Sequence, residues 1–298
     1  MASFGLPYQG SKNRIANWVV DHLPTAPVLV DIMCGGGAVT HAAILSGKYN
    51  TIMMNDISGT AEVFVDAVAG RYADYNTVPT RDEFFAQKDD DIAMSLCYSF
   101  GYNRRRYLWS RDLEPVKVAA SRALTAPTLA ERRAHWREYC RALEEYVAAH
   151  DGLPNNLGCL QGLLNLERLQ GLEALGHLQE LSTLDGQATT LLASHDDYRY
   201  VDIPDDAVVY VDPPYVGTYC DAYEGFDSEA FYDWIATQHA LTIISEYTAP
   251  PGCVSVASRG LRERFGSNGS GRLAVEHLFV PTRQLAEYHE RMGIPQAA

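Results

Sequence analysis

The chain lacks the features that would place it in several common classes. Its six cysteines, at positions 34, 97, 140, 159, 220 and 253, form no C-x-x-C pair, and its nine histidines form no H-E-x-x-H. Neither a structural zinc site nor a disulfide framework is supported, and the thiols read as buried or idle. No stretch approaches the ~18 consecutive apolar residues that a membrane helix requires, and the first residues, MASFGLPYQGSK, lack the charged-then-apolar layout of a secretion signal. The expectation is a cytoplasmic protein with no membrane contact and no obligate protein partner. Cations are also in short supply: 24 Lys and Arg face 38 Asp and Glu, a net charge of −14. That sum disfavours a polyanionic partner, because nucleic-acid binders usually carry a basic footprint.

The distribution of charge changes the picture. Residues 99–143 hold ten Lys/Arg against four acids, so a segment of +6 sits in a chain that is otherwise −20. Such a basic middle is either a DNA-facing surface or a set of solvated helix faces. With 298 residues, 47% of them hydrophobic, the chain has enough apolar material for one large domain or a domain carrying an insertion.

Short apolar runs with β-branched content recur at 28–32, 51–54, 189–193, 207–211, 241–245, 253–257 and 274–280, which predicts strands. The runs at 28 and 207 are almost continuously hydrophobic, as in a parallel sheet covered on both faces. The last two flank GSNGSG (266–271), a turn-forming cluster that predicts an antiparallel edge pair. From about 74 to 183 the pattern turns helical, with segments such as TLAERRAHWREYCRALEEYVAAH, so an inserted helical region is expected. Within it leucines recur every third residue from 163 to 184. A period of three drifts around a 3.6-residue helix, and Gly171 and Gly176 weaken a long helix further; the expectation is a packing element of undefined shape.

VLVDIMCGGGAVTHAAIL (28–45) runs strand, glycine turn, helix. Asp31 ends the strand, and Gly35, Gly36 and Gly37 allow the tight turn that aims backbone N–H groups at a ligand. The loop is not a full G-x-G-x-x-G, since Thr40 stands at the last position. The second strand ends at Asp56, nineteen residues after Gly37, where an α/β fold binds ribose hydroxyls. Together these predict an adenosine-containing ligand; NAD and S-adenosylmethionine both satisfy that much.

VVYVDPPYVG (208–217) then ends a strand in an acid, two prolines and a tyrosine. An amine conjugated to a ring is a poor nucleophile, so an enzyme acting on it needs acceptors for its hydrogens and no strong base. Asp212 and the Pro213 carbonyl can supply them, the two prolines being restricted in φ and lacking N–H. Tyr215 offers a π-face for an extruded base.

DPPY, the D-x-M-x-G-x-G turn and the N-terminal YQGSKNRIA together resemble the DNA adenine-N6 methyltransferases of the class typified by the bacterial GATC-methylating enzyme. SFGYNRRRYLWS and the LERLQGLEAL repeat are similar to segments of the phage and prophage versions, so the resemblance spans about residues 6–283. It implies an α/β Rossmann-like methyltransferase fold with a mostly parallel sheet, an antiparallel edge hairpin and an inserted target-recognition region at 74–183. It implies S-adenosyl-L-methionine as cofactor and double-stranded DNA as partner, with Asp212, Pro213, Pro214 and Tyr215 catalytic. Tyr8 and Lys12 match the N-terminal cofactor motif, and Asp31 the acid facing the cofactor's amino group or its neighbours. Asp197, with Asp196 as a competing alignment, falls near the cofactor's adenine. Met33 replaces the phenylalanine common in relatives and is apolar enough to pack under the cofactor.

Asn103, Arg104, Arg105, Arg106 and Tyr107 combine phosphate-binding cations, a purine-reading amide and a stacking ring. Adjacent arginines cannot all face one way, so at least one meets phosphate or solvent. Arg259, Arg262, Arg264 and Arg272 are either a second phosphate-facing patch or a solvated surface. Cytosine N4, RNA, and an inactive DNA-binding module that keeps the fold are the alternative readings.

Overall fold

The computed structural model describes residues 4–149, 169–215, 225–262 and 273–295. The Gly-rich turn at 266–271, Arg264, Arg272, Cys159, Cys220 and the start of the leucine repeat lie outside the described residues. Contacts divide the chain into one unit of Met1–Gly5, Ser11–Val65 and Leu184–Ala298, and another of Leu6–Gly10 and Asp66–Thr183.

The first unit is built on a seven-stranded sheet: β1 (Val28–Ile32), β2 (Thr51–Asn55), β3 (Thr190–Ser194), β4 (Val208–Val211), β5 (Leu241–Glu246), β6 (Cys253–Arg262) and β7 (Leu273–Pro281). Their order is β3-β2-β1-β4-β5-β7-β6. The first five run parallel, β7 is antiparallel to β5, and β6 pairs antiparallel with β7 at the edge. This is the expected Rossmann-like sheet with an antiparallel edge hairpin, and its strand order reverses between β1 and β4, where such sheets bind ligands beyond the strand ends.

Strand alternation explains what each face carries. Val30, Ile32, Val209, Val211, Ile244 and Phe279 form one buried cluster with Phe231 and Ile235 of the helix Ser228–Thr237. Asp227 caps that helix, its side chain accepting from the Ala230 N–H. The registers Asp31↔Tyr210, Tyr210↔Ile243 and Ser245↔Leu278 put Asp31, Tyr210, Ser245 and Glu276 on the opposite face. β4 is therefore buried on both sides, and on the second the polar groups are set among apolar neighbours such as Val208, Leu29 and Ile243.

The second unit is helical among its described residues, with helices Arg81–Gln87, Ile92–Cys97, Glu114–Thr125, Leu129–Ala149 and Gln170–Glu180. Thr80 and Glu83 form a reciprocal capping box at the start of Arg81–Gln87. The described leucines of the repeat split between two geometries. Leu175 and Leu178 are buried on the helix Gln170–Glu180, and Leu181 and Leu184 are buried on the 3₁₀ turn Leu181–Leu184 that follows. A three-residue period suits that turn, which has three residues per turn. Gly171 is buried where a Cβ would come 2.3 Å from the Tyr98 ring; the glycine admits the ring.

No helix among the described residues is long and apolar enough to cross a membrane.

Candidate active site

The site begins at the end of β1. Asp31 is buried, and its Oδ2 accepts from the Thr40 hydroxyl at 2.7 Å. Its Oδ1 has no hydrogen-bond partner among the described residues. Burial, with the nearby charges of Asp212 and Asp56, raises the carboxyl to about 7 against the pull of Thr40. Such an oxygen is costly to leave unpaired in the folded chain.

After Asp31 the chain turns on positive φ at Met33, Gly35 and Gly37, and the helix Ala38–Ser46 starts from Gly37. A Cβ at Gly37 would lie 2.8 Å from Met54 Cε and Phe64 Cδ2, so glycine is required there by space as well as by φ. Gly5 crosses against this loop: a Cβ there would lie 2.4 Å from the Gly36 carbonyl oxygen. Asp56 fastens the loop, its Oδ2 accepting the Gly35 N–H at 2.8 Å and its Oδ1 accepting the Ser58 N–H and hydroxyl. The acid expected to meet ribose hydroxyls is thus already engaged in holding the glycine turn, with a remaining lone pair as its capacity for a ligand.

Across the reversal of strand order, Asp212 follows β4 directly. The Lys12 ammonium, carried by the short 3₁₀ turn Lys12–Arg14, donates to Asp212 Oδ1 at 2.6 Å. Burial raises the Asp212 carboxyl above the ordinary value, Lys12 opposes that rise, and the Glu276 charge adds to it. Lys12 Nζ also stands 4.6 Å from the centroid of the Tyr215 ring and 3.9 Å from Glu276 Oε1. The Tyr215 hydroxyl donates to Glu276 and, at 3.3 Å, to Ser245 Oγ. Its ring meets Tyr247 edge to face at 4.6 Å. Burial pushes the Tyr215 phenol well above its usual value, so it stays a donor.

The structure describes three more residues of the sequence reading. Asp197 caps the 3₁₀ turn Tyr198–Tyr200, and its carboxylate accepts the Arg199 N–H at 3.0 Å and the Arg199 guanidinium at 2.8 and 2.6 Å. A cation two residues away has claimed it. Its rival Asp196 is tied through its backbone, whose N–H and carbonyl both bond the Asn55 amide. Tyr8, in Leu6–Gly10, groups with the helical unit and is half-buried.

In that unit the segment 99–107 folds into a tight loop closed by a Ser99↔Tyr107 bridge. Tyr107 is no stacking platform. It is 5% exposed, packs against Phe84 and Trp109, lies under Arg81 and donates its hydroxyl to the Pro79 carbonyl, because the bridge turns its side chain inward. Arg104 takes a positive φ of 60° and folds back onto the unit, Nε donating to Ser95 Oγ at 2.9 Å. Asn103 accepts the N–H groups of Arg105 and Arg106 and shapes the turn. Arg105 and Arg106 are exposed. Of the second arginine group, Arg259 is exposed and the Arg262 side chain is outside the description.

Residues 8–91 match the model of the D12 class N6 adenine-specific DNA methyltransferases. The matched stretch takes in Lys12, Asp31, the glycine loop and Asp56, and ends before DPPY. The match supports an enzyme, an adenine-specific DNA methyltransferase. Among solved structures the chain is similar to the rRNA methyltransferase aviRa from Streptomyces viridochromogenes, at 14% identity and a TM-score of 0.34 over 92% of this chain and 84% of that one. Comparison with curated proteins returns no match.

Around Asp31, Asp212 and Tyr215 the structure adds Ser245, Tyr247 and Glu276, which the sequence reading did not single out, and gives Thr40 a partner in Asp31. The signal for Glu276 was available: an acid inside the apolar run LAVEHLFV. Charged residues are almost never fully buried unless they have partners, so an acid in a predicted strand asks for one.

Proposed function

We propose that the chain transfers a methyl group from S-adenosyl-L-methionine to the exocyclic N6 amine of adenine in double-stranded DNA, the target base being flipped out of the helix. One observation carries the reading: the orphaned Oδ1 of Asp31 and the acceptor Asp212 end adjacent strands at the reversal point of the sheet. An unpaired buried carboxylate oxygen fits an ammonium donor, and the cofactor's methionine end has one. The glycine loop held by Asp56 leads into the N-terminus of the helix Ala38–Ser46, where backbone N–H groups suit a polar ligand.

When bound, the cofactor supplies a methyl group on a positively charged sulfur. Asp31 would take the amino group at Oδ1, and the first turn of Ala38–Ser46 would contribute N–H groups that have no acceptor inside the helix. On the other side Asp212 and the Pro213 carbonyl would accept the two amino hydrogens of adenine, turning the nitrogen lone pair out of the ring plane. Positive charge would grow on that nitrogen as its bond to the methyl carbon formed and the carbon–sulfur bond broke, the electron pair returning to sulfur; the carboxylate beside it would lower the barrier, and one amine proton would then leave to solvent. Lys12 covers one face of the Tyr215 ring, so stacking of the base uses the other. Arg105 and Arg106 are the DNA-contacting cations of this reading, with Asn103 and Arg104 fixing the loop that presents them.

The test is direct: incubate labelled S-adenosyl-L-methionine with unmethylated duplex DNA and identify the modified base. N6-methyladenine is expected, and its loss in Asp212→Ala with cofactor binding kept. Label in cytosine or only in RNA would replace the substrate assignment, and absence of transfer with cofactor bound would make the chain an inactive module. Near-normal transfer by Asp212→Ala would refute the chemistry.

A further inference from the structure

The ion pair at the centre of the site poses a problem for the reaction. Asp212 is bonded to Lys12 at 2.6 Å, and a carboxylate matched by an ammonium carries no net charge to offer a nitrogen that is becoming positive. A third group changes the balance. Glu276 is 1% exposed and lies 3.9 Å from the same ammonium. With it, Asp212, Lys12 and Glu276 carry one net negative charge; without it they carry none.

The same carboxylate fixes the geometry. Glu276 accepts from the Tyr215 hydroxyl and, at 2.6 Å, from Ser245 Oγ, so one oxygen ties the DPPY tyrosine to β5 and β7. The register of β5 with β7 sets this up, since Ser245 faces Leu278 and Glu276 follows on the same side of β7. Among the described side chains, the acids within 4.0 Å of the Lys12 ammonium are Asp212 and Glu276. A carboxylate that serves folding alone would change stability and leave the kinetics untouched, which separates the two roles.

We propose that Glu276 is a positioning residue for methyl transfer: it anchors Tyr215 through its hydroxyl and shares Lys12 with Asp212, so that the acceptor carboxylate keeps its pull on the target amine. This rests on the adenine methyltransferase reading above. Glu276 acts through its two neighbours and needs no contact with base or cofactor.

The experiment measures kcat and KM for DNA and for S-adenosyl-L-methionine in wild type, Glu276→Gln, Lys12→Met and the double variant, with thermal unfolding of each. Glu276→Gln keeps size and acceptor oxygen but removes charge. Its kcat is expected to fall by about tenfold or more, in the range of a lost electrostatic contact to a transition state, while both KM values stay within about twofold and the melting temperature holds. Glu276→Asp, which keeps the charge, recovers part of the loss. In the Lys12→Met background the Glu276→Gln effect shrinks, because the residue through which it acts is gone. A wild-type kcat in Glu276→Gln, or losses that simply multiply in the double variant, overturns the inference. If Glu276→Gln does not fold, Tyr215→Phe tests the anchor: it removes only the hydroxyl, and an unchanged kcat overturns the proposal. A wild type that methylates no adenine refutes the underlying reading, whereas an active wild type with an indifferent Glu276→Gln refutes this inference alone.

Discussion

Asp31→Asn is expected to make the ligand-free protein more stable and a worse cofactor binder. Asp31 is raised from 3.8 to about 7 in the folded chain, chiefly by burial. The folded value lies above the unfolded one, so the folded protein holds this proton more tightly. Asp31 costs nothing below about pH 4, costs more with each step between the two values, and reaches its full cost above pH 7. At about 1.4 kcal/mol per pH step, that is roughly 4 kcal/mol at pH 8. Asparagine carries no charge to desolvate and still accepts from Thr40, but its buried NH₂ lacks an acceptor, a penalty of about 1–3 kcal/mol. The net gain at pH 8 is about 1–3 kcal/mol; it crosses zero between about pH 4.5 and 6 and turns into a loss of about 1–3 kcal/mol toward pH 4, where only the unpaired NH₂ remains. Urea unfolding of both proteins between pH 4.5 and 8, compared as a difference at each pH, reads this out. Calorimetric titration with S-adenosyl-L-methionine supplies the second half: wild-type affinity should weaken about tenfold from pH 8 to pH 6, as the carboxylate is lost, and the variant should bind at least about tenfold more weakly at pH 8 with little pH dependence. A variant that is no more stable at pH 8 and binds cofactor like wild type would refute both the orphaned-acceptor argument and the ligand assigned to it.

Two further outcomes test the helical unit. Gly171→Ala sets a methyl 2.3 Å from the buried Tyr98 ring and should destabilise by about 1–3 kcal/mol through overpacking, measured by denaturant unfolding; a neutral result would mean the two groups do not pack as described. Arg105→Ala with Arg106→Ala should weaken duplex DNA binding and reduce the slope of log affinity against log salt by up to about two, whereas Tyr107→Phe, which strips the hydroxyl from the Pro79 carbonyl, should lower stability and leave that slope alone. An altered salt slope in Tyr107→Phe, or an unaltered one in the arginine double variant, would reverse the assignment of this loop.

What the sequence made legible and what it hid divide along contact range. The strands could be read because each is a local run, and Asp31 and Asp212 because one stands near the end of such a run and the other directly follows one. Register then brought them together, with Ile32 level with Val211. Tyr107 was misjudged because its setting in the chain, beside three arginines, suggests a surface, while the Ser99↔Tyr107 bridge that buries it joins residues eight apart. Asp197, expected near the cofactor from its position after β3, pairs in the structure with Arg199 two residues on. Glu276 was the hardest to see: it stands sixty-one residues from Tyr215 and reaches it through an antiparallel pairing at the far side of β5. The groups that touch a ligand sit at strand ends, where a motif can mark them. The groups that tune those residues sit inside neighbouring strands, so any polar residue in an otherwise apolar strand of such a sheet is a candidate for the layer behind the motif.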